Sequence, residues 1–255
     1  MNSSRCSDLV VLVLLLVLTV GAAGGVTVNA ADAPSGAEVG TDRTATFELA
    51  ELYQDPEAEQ WTLRGETELE NVTWTVNVID QAGSQIAQPT YVSQSFAHDV
   101  DIESGAAQLE ITLTGTVPPI TNFTYDPQPS FLVAELIQEQ PGGTTDTIET
   151  YEADRYTADS QAARQAIDAA RAAINEAGGP DEAERTLDSA IDAYESENFD
   201  LAVDLAEQAK DTARQAEANQ SRNRLILLAV GALVLLGIVV GAVVYWRRSR
   251  THSRL

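Results

Sequence analysis

The sequence predicts an all-β sandwich, then a block of three helices, then one membrane-spanning helix. Three observations carry this prediction. Alternating apolar and polar residues dominate 44–152, alanine-rich stretches of helical periodicity dominate 157–219, and an uncharged run occupies 225–246. Alternation favours strands that bury one face, alanine-rich periodicity favours packed helices, and an uncharged run of this length favours a helix in lipid.

The sandwich prediction rests on short strands with turn signals between them. The clearest stretches place apolar residues on one face at Val72, Trp74, Val76 and Val78, and again at Leu109, Ile111 and Leu113. About seven such strands suit a sandwich of the immunoglobulin or fibronectin type III kind. We expect Trp61 and Trp74 to anchor its core. The small and polar residues 31–43 predict a flexible lead before it.

The helical block 157–219 carries boundary signals. Thr157 is a candidate N-cap, Gly178 and Gly179 stop the first helix, and Pro180 starts the second at its first turn. A third helix follows the break at ESENFD. We expect the three helices to pack through alanine as a small bundle or stalk. The third helix either runs unbroken into the membrane or breaks near NQSRNR.

Residues 183–213 resemble a single tetratricopeptide-like helical hairpin. The residues that carry the resemblance are Ala190, Tyr194, Phe199, Ala202 and Ala209. Repeat-type binding grooves are built from several stacked units. One unit therefore implies a helical hairpin and no such groove.

The run 225–246 predicts a transmembrane helix, since about 1.5 Å per residue carries 22 residues across a hydrocarbon core of ~30 Å. Tyr245 and Trp246 close the run at a membrane interface. Four arginines follow it within 247–255 and two precede it, so the positive-inside rule places this basic tail in the cytoplasm and the upstream chain outside. Within the run, Gly237 and Gly241 form a small-xxx-small pattern that would let two such helices dimerise.

The first 30 residues predict a secretory signal peptide. Arg5 lies in a short n-region, residues 9–20 are apolar, and small residues precede Ala31, so we expect cleavage after Ala30. The alternative is an uncleaved anchor. The chain's one cysteine, Cys6, precedes the apolar run. A cleaved chain would therefore lack cysteine, and no disulfide would stabilise its ectodomain.

The charge distribution points to a saline exterior. Between residues 31 and 221 lie 38 of the 39 acidic residues and 8 of the 15 basic ones, a net charge of −30, and Lys210 is the one lysine. In molar salt the Debye length falls to about 3 Å and screens the self-repulsion. This balance resembles that of halophilic archaeal proteins, and the alternative is an acidic surface protein from ordinary conditions. Nucleic-acid binding is disfavoured because no basic patch could neutralise phosphates.

Two kinds of site are candidates outside the membrane. Sequons for N-glycosylation begin at Asn71, Asn122 and Asn219. Asp99, Asp101 and Glu103 stand at alternate positions and could join a calcium site, although the glycine and spacing of an EF-hand loop are missing. A solvated acidic edge is the favoured interpretation of these carboxylates.

The sequence carries no recognisable catalytic motif. His98 is the one histidine between residues 31 and 221, and no phosphate-binding loop, nucleophile elbow or HExxH helix motif occurs. We therefore expect no enzyme activity and no cofactor, with a carboxylate-dependent extracellular hydrolase kept as an alternative.

The architecture as a whole resembles that of membrane-anchored, sandwich-bearing surface proteins of halophilic archaea. The resemblance implies a type I single-pass protein with a non-catalytic binding or envelope-structural role. Its sandwich would contact a protein or glycan, and its membrane helix lipid or a second copy. The other alternative is an accessory subunit of a membrane transport, secretion or surface-filament complex.

Overall fold

The structure is a computed structural model that describes residues 26–53 and 59–219 of the chain. In this part of the chain, eleven β-strands form two sheets and three helices follow them. The strands are β1 (Thr27–Asp32), β2 (Gly36–Glu38), β3 (Asp42–Ala50), β4 (Gln60–Glu66), β5 (Glu70–Asp80), β6 (Gln85–Ala87), β7 (Thr90–Tyr91), β8 (Ser95–Asp101), β9 (Ala106–Thr116), β10 (Ser130–Glu139) and β11 (Thr145–Tyr156). The helices are α1 (Ala158–Ala177), α2 (Asp181–Glu195) and α3, which covers residues 199–219.

The chain passes repeatedly between the two sheets, although β5, β6 and β7 follow one another in one sheet and β10 and β11 in the other. Sheet one has the order β1-β3-β9-β5-β6, with β7 also paired to β5, and all of these pairs are antiparallel. Sheet two has the order β2-β11-β10-β4-β8, in which β2 runs parallel to β11 and the other pairs are antiparallel. The chain changes sheet seven times: between β1 and β2, β2 and β3, β3 and β4, β4 and β5, β7 and β8, β8 and β9, and β9 and β10.

The inward faces of the two sheets share one apolar core. Trp74 of sheet one lies against Phe96 of sheet two with ring centroids 4.9 Å apart. Phe47 of sheet one contacts Tyr151 of sheet two at 4.8 Å. Two sheets that bury their apolar faces against each other form a β-sandwich. This part of the predicted fold class is therefore confirmed.

The predicted inward positions are confirmed. All of the alternating apolar residues named above are buried: Val72, Trp74, Val76, Val78, Leu109, Ile111 and Leu113. Trp61 is also buried. The indole N–H of Trp61 donates to the carbonyl oxygen of Leu52 at 3.0 Å, and that of Trp74 to Ser93 at 3.1 Å. Both rings therefore bury a large apolar area without leaving a polar atom unpaired.

The sandwich begins earlier than the sequence indicates. The prediction of a flexible lead over 31–43 is wrong, because β1, β2 and the start of β3 lie in or across that range. β1 is almost entirely exposed, so it carries no alternation to detect, and its backbone bonds to the edge of β3 hold it in place. The last strand ends at Tyr156 rather than 152. A cut after Ala30 would divide β1.

The helices form where their caps and periodicity predict. The Thr157 side chain accepts from the backbone N–H of Ser160, whose own hydroxyl accepts from the N–H of Thr157, a reciprocal capping box. Gly178 ends α1 in the left-handed conformation at φ 82°. Pro180 precedes α2 as its N-cap residue instead of lying within its first turn.

The three helices bury a second core that is built largely of alanine. The buried helical residues are Ala163, Ile167, Ala170, Ile174, Ala183, Leu187, Ala190, Ala193, Tyr194, Ala202, Ala206, Ala209 and Ala213. Alanine allows helices to approach closely, and it costs little side-chain entropy to bury. This core also receives two aromatic residues from the sandwich, Phe123 and Tyr125.

Several predictions fall outside the described residues. These are the span 225–246 with Gly237 and Gly241, the tail 247–255, and most of the signal peptide 1–30. Among residues 26–53 and 59–219, no helix has the length and apolar character that a membrane crossing needs.

Candidate functional site

The three predicted glycosylation sites have exposed asparagine side chains. Asn71 is the second residue of β5 and has a positive φ of 52°, and its amide donates to the Thr116 hydroxyl at 3.5 Å. Asn122 lies in the long connection between β9 and β10. Asn219 lies on α3, at the end of the described residues. Each acceptor nitrogen can therefore be reached from solvent.

The predicted carboxylate group does not converge on a metal site. Asp99 accepts a hydrogen bond from the Thr62 hydroxyl at 2.9 Å. Asp101 accepts from the Gln60 amide at 2.7 Å and from the backbone N–H of Glu103 at 2.8 Å. Within the residues that the structure describes, no three His, Cys, Asp or Glu side chains come close enough to hold a metal ion. Asp101 instead caps the short 3₁₀ turn Ile102–Ser104.

A shallow acidic cleft of about 340 Å³ lies beside this turn. It is lined by Glu59, Gln60, Asp101, Ile102, Glu103 and Pro141. Both carboxylate oxygens of Asp101 accept hydrogen bonds, one from the Gln60 amide and one from the backbone N–H of Glu103. The Asp101 side chain therefore stabilises the local structure beside the cleft.

Among the described residues, polar and aromatic side chains are closely connected where the sandwich contacts the helices. We call this region the junction: loop 117–129, which links β9 to β10, together with the parts of α1, α2 and α3 that it touches. Phe123 of this loop lies 5.0 Å from the ring of Phe199 and 6.4 Å from that of Tyr194, both near perpendicular. Edge-to-face contacts of this kind are favourable beyond the area that they bury.

Tyr125 is held from several sides in the junction. The guanidinium groups of Arg164 and Arg171 lie 4.6 and 4.8 Å from the centroid of its ring. Arg164 also donates a hydrogen bond to the Tyr125 carbonyl oxygen, and the Tyr125 hydroxyl donates to the Asp168 carboxylate. The backbone N–H of Tyr125 donates to Glu195 of α2 at 3.2 Å. One loop residue thus engages both α1 and α2 through its backbone and its side chain.

The electrostatics of Tyr125 keep its hydroxyl protonated. Burial, reinforced by the hydrogen bond to Asp168 and by the charge of that carboxylate, raises the pKa of Tyr125 to about 12, and Arg171 and Arg164 offset part of this. The hydroxyl is therefore a donor throughout the ordinary pH range. Cation–π contacts with arginine add attraction at a site where aromatic rings exclude water.

The sandwich also passes into the helices without a linker. β11 ends at Tyr156, Thr157 is the N-cap, and α1 begins at Ala158. Arg155 holds this corner, because its backbone N–H donates to Pro129 at 2.8 Å and its side chain donates to the Pro119 carbonyl at 3.1 Å. The direct strand-to-helix passage and the loop contact together join the two cores at two separate places.

An open polar cleft of about 410 Å³ lies beside this corner. Its lining residues are Ser35, Gly36, Gln128, Asp154, Tyr156, Gln161, Arg164, Gln165 and Asp168. Arg164 and Asp168 both form hydrogen bonds with Tyr125, so this cleft borders the junction on its solvent side.

Sequence reasoning did not find the junction. It singled out Asn122 of this loop as a glycosylation candidate, and Asn122 is exposed, but it gave no role to the neighbouring Phe123 and Tyr125, which are buried. The alternation of two aromatic residues with polar ones in that loop was the available signal. Arg164 and Arg171, two of the few basic residues in an acidic chain, were the second.

Comparisons with known proteins assign no family. No protein-family model matches the chain, and no curated protein matches it. Among solved structures, a mutant of the SrpA adhesin from Streptococcus sanguinis is similar at 13% identity and a TM-score of 0.27, over 54% of this chain and 61% of that one. A DUF4466 family protein from Parabacteroides merdae is similar at 10% identity and a TM-score of 0.30, over 52% of this chain and 44% of that one. The chain thus spans less than two thirds of either protein, and both scores are too low to assign a function.

Proposed function

We propose that the chain is a type I single-pass surface protein that displays an immunoglobulin-like sandwich on a three-helix stalk, in a non-catalytic binding or envelope-structural role. The observation that carries this proposal is the junction. A rigid attachment would hold the displayed domain at a set orientation above its anchor, which a flexible linker would not do. The two-point attachment through Tyr125 and the β11–α1 corner supplies that rigidity.

The strand order supports the immunoglobulin-like assignment. In immunoglobulin domains the sheets have the neighbours A-B-E-D and G-F-C, with further strands beyond C. Here β1-β3-β9-β5 and β11-β10-β4-β8 occupy equivalent places. The chain departs from that pattern where it returns from β5 to sheet two as β8, and it adds β2 beside β11 and β6 and β7 beside β5.

The anchor, the orientation and the saline environment rest on the sequence. The uncharged run 225–246 supplies the proposed anchor, and the arginines after it place the tail in the cytoplasm. The net charge of −30 between residues 31 and 221 suits an ectodomain in brine. Recruitment to a membrane complex through the helices remains the alternative role.

The topology is tested by cysteine labelling in intact cells. Cys6→Ser removes the one native cysteine of the full-length chain, and single cysteines are then placed at Ser84, in an exposed turn, or at Ser249, in the basic tail. We expect a membrane-impermeant maleimide to label Ser84→Cys on intact cells and Ser249→Cys after lysis. The reverse pattern, or labelling of both positions only after lysis, would overturn the proposal.

A further inference from the structure

Residues on the amino-terminal side of Ala31 form part of the folded sandwich. β1 pairs with β3 along its whole length, and the register shows which of these pairs would survive a cut after Ala30. The pairs of Ala31 with Phe47 and of Asp32 with Thr46 would remain. The pairs that would be lost are Thr27 with Ala50, Val28 with Leu49, and Ala30 with Glu48. Such a cut would therefore remove most of an edge strand.

The apolar residues of this segment also cover the edge of the core. Val26 and Val28 are half-buried and pack against the sandwich core. Val28 stands opposite Leu49, which is fully buried. Without the two valines, the core beside Leu49 would meet water. The backbone of β3 over residues 48–50 would become an unpaired sheet edge, which favours aggregation.

A second set of cleavage signals lies directly after the apolar run 9–20. Residues 21–25 are all glycine or alanine. A signal peptidase needs small side chains at the first and third positions before the bond that it cuts. The bonds after residues 23, 24 and 25 all meet this requirement, whereas the bond after Ala30 has the larger Val28 at the third position.

We propose that signal peptidase cuts the chain between Ala23 and Val26, so that the mature protein keeps the whole of β1. One water is consumed: its hydroxyl goes to the carbonyl carbon, the C–N bond breaks, and the nitrogen takes the proton. The leader keeps a carboxylate, and residue 24, 25 or 26 becomes the free amino terminus. This site takes the place of the bond after Ala30, which the leader sequence by itself favours.

The inference rests on the exported, type I topology proposed above, and it adds where the mature ectodomain begins. The amino terminus would lie at the edge of sheet one, directly before β1. The leader would then end within the run of small residues, and the sandwich would begin at Val26, where the packed residues begin.

Amino-terminal mapping of the full-length protein, purified from membranes, tests the proposal. Free amines are dimethylated before trypsin digestion, so that the amino-terminal peptide carries the label on its α-amine. Arg43 is the first Lys or Arg after Arg5, so the labelled peptide of a processed chain ends at Arg43. We expect this peptide to begin at residue 24, 25 or 26.

Glutamine variants separate the two cleavage sites. Ala30→Gln puts a large side chain beside the downstream bond at an exposed position, and we expect it to leave the amino terminus of the wild type unchanged. Ala23→Gln, Gly24→Gln and Gly25→Gln together remove the small residues upstream. We expect this triple variant to lower the yield of chains that begin at residues 24–26 roughly tenfold or more.

A thermal measurement checks that the retained residues are folded in the mature protein. With the third tryptophan removed by Trp246→Phe, the fluorescence of Trp61 and Trp74 reports unfolding of the sandwich. Val28→Asp places a carboxylate against the core, and we expect it to lower the melting temperature by about 4 °C or more. The matched control is Asn29→Asp at the exposed neighbouring position, which should change it little.

Three outcomes would overturn the proposal. A labelled wild-type peptide that begins at Ala31 would move the cut downstream, and labelling of peptide 1–5 would show that the leader is not cut. Equal melting temperatures of the two aspartate variants would show that the segment is not packed in the mature protein. The labelling of Ser84→Cys and Ser249→Cys does not depend on these results, so failure of the cleavage site is distinguishable from failure of the proposed topology.

Discussion

Replacement of Phe123 by alanine tests whether the junction couples the two cores. Phe123 is 8% exposed and packs between Tyr194 and Phe199 of the helical core. Truncating a buried phenylalanine costs about 3–5 kcal/mol, and the residual exposure of Phe123 favours the lower end, ~3 kcal/mol. At about 4–8 °C per kcal/mol for a unit the size of the helical block 157–219, the melting temperature of the helices should fall by roughly 12–24 °C.

Two optical signals separate the cores. Far-ultraviolet circular dichroism is dominated by the helices, whereas Trp61 and Trp74 lie in the sandwich, so their fluorescence reports its unfolding. A Trp246→Phe background removes the third tryptophan signal. In that background we expect the two transitions to coincide, and Phe123→Ala to move the helical transition below that of the sandwich.

The matched control is Leu201→Ala on α3. Leu201 is a large apolar residue of the same helical block, but it is 44% exposed, so its truncation should cost far less. If Phe123→Ala lowers the melting temperature of the helices no more than Leu201→Ala does, the loop does not anchor the helices and the sandwich is not held rigidly on them.

Two further predictions concern the sandwich. A Cβ on Gly65 would lie 2.2 Å from Cε1 of Phe96, so we expect Gly65→Ala to lower the free energy of unfolding, measured in urea, by about 1–3 kcal/mol. The control is Gly36→Ala, whose Cβ would lie 3.6 Å from its nearest atom and should change that free energy little. Equal effects of the two substitutions would contradict the close packing at Gly65. Burial lowers the pKa of His98, partly offset by the charge of Asp99, so the unfolded chain takes up a proton more readily as the pH falls below about 6.5. The wild type should therefore lose stability relative to His98→Asn between about pH 7.5 and pH 5 in urea titrations, and a gap that is constant with pH would refute this.

The sequence by itself determined which residues of most strands and helices face inward. Alternation in β5 and β9 and the alanine stripe of α1 are local patterns, and each needs only one element to be recognised. The caps at Thr157 and Gly178 are local for the same reason, since they satisfy backbone groups within a few residues. The glycosylation candidates Asn71, Asn122 and Asn219 were also visible locally, and their use stays a prediction.

Only the tertiary structure decided what depends on segments that are distant in the chain. β1 has no inward stripe and exists because the edge of β3 pairs with it. The junction brings Tyr125 of loop 117–129 into contact with Arg164 and Asp168 of α1. The loop sequence alone does not show that its ring has charged partners, and the helix sequence alone does not show that its charges have an aromatic one. Asp99 and Asp101 stand at alternate positions of the sequence, but they do not share a ligand. Each accepts a hydrogen bond from a polar side chain of the neighbouring strand β4.

The outward threonines of β3, β5 and β9 show the same division. Each Thr-x-Thr pair is an ordinary outward pattern on its own strand, because threonine suits an exposed β position. Strand order and register place Thr44 beside Thr114, 70 residues away in the chain. A strand's own residues determine which side chains point outward, but the neighbours on that face follow from backbone pairing and from burial shared between segments. The physical properties of a sheet face therefore belong to the assembled sheet.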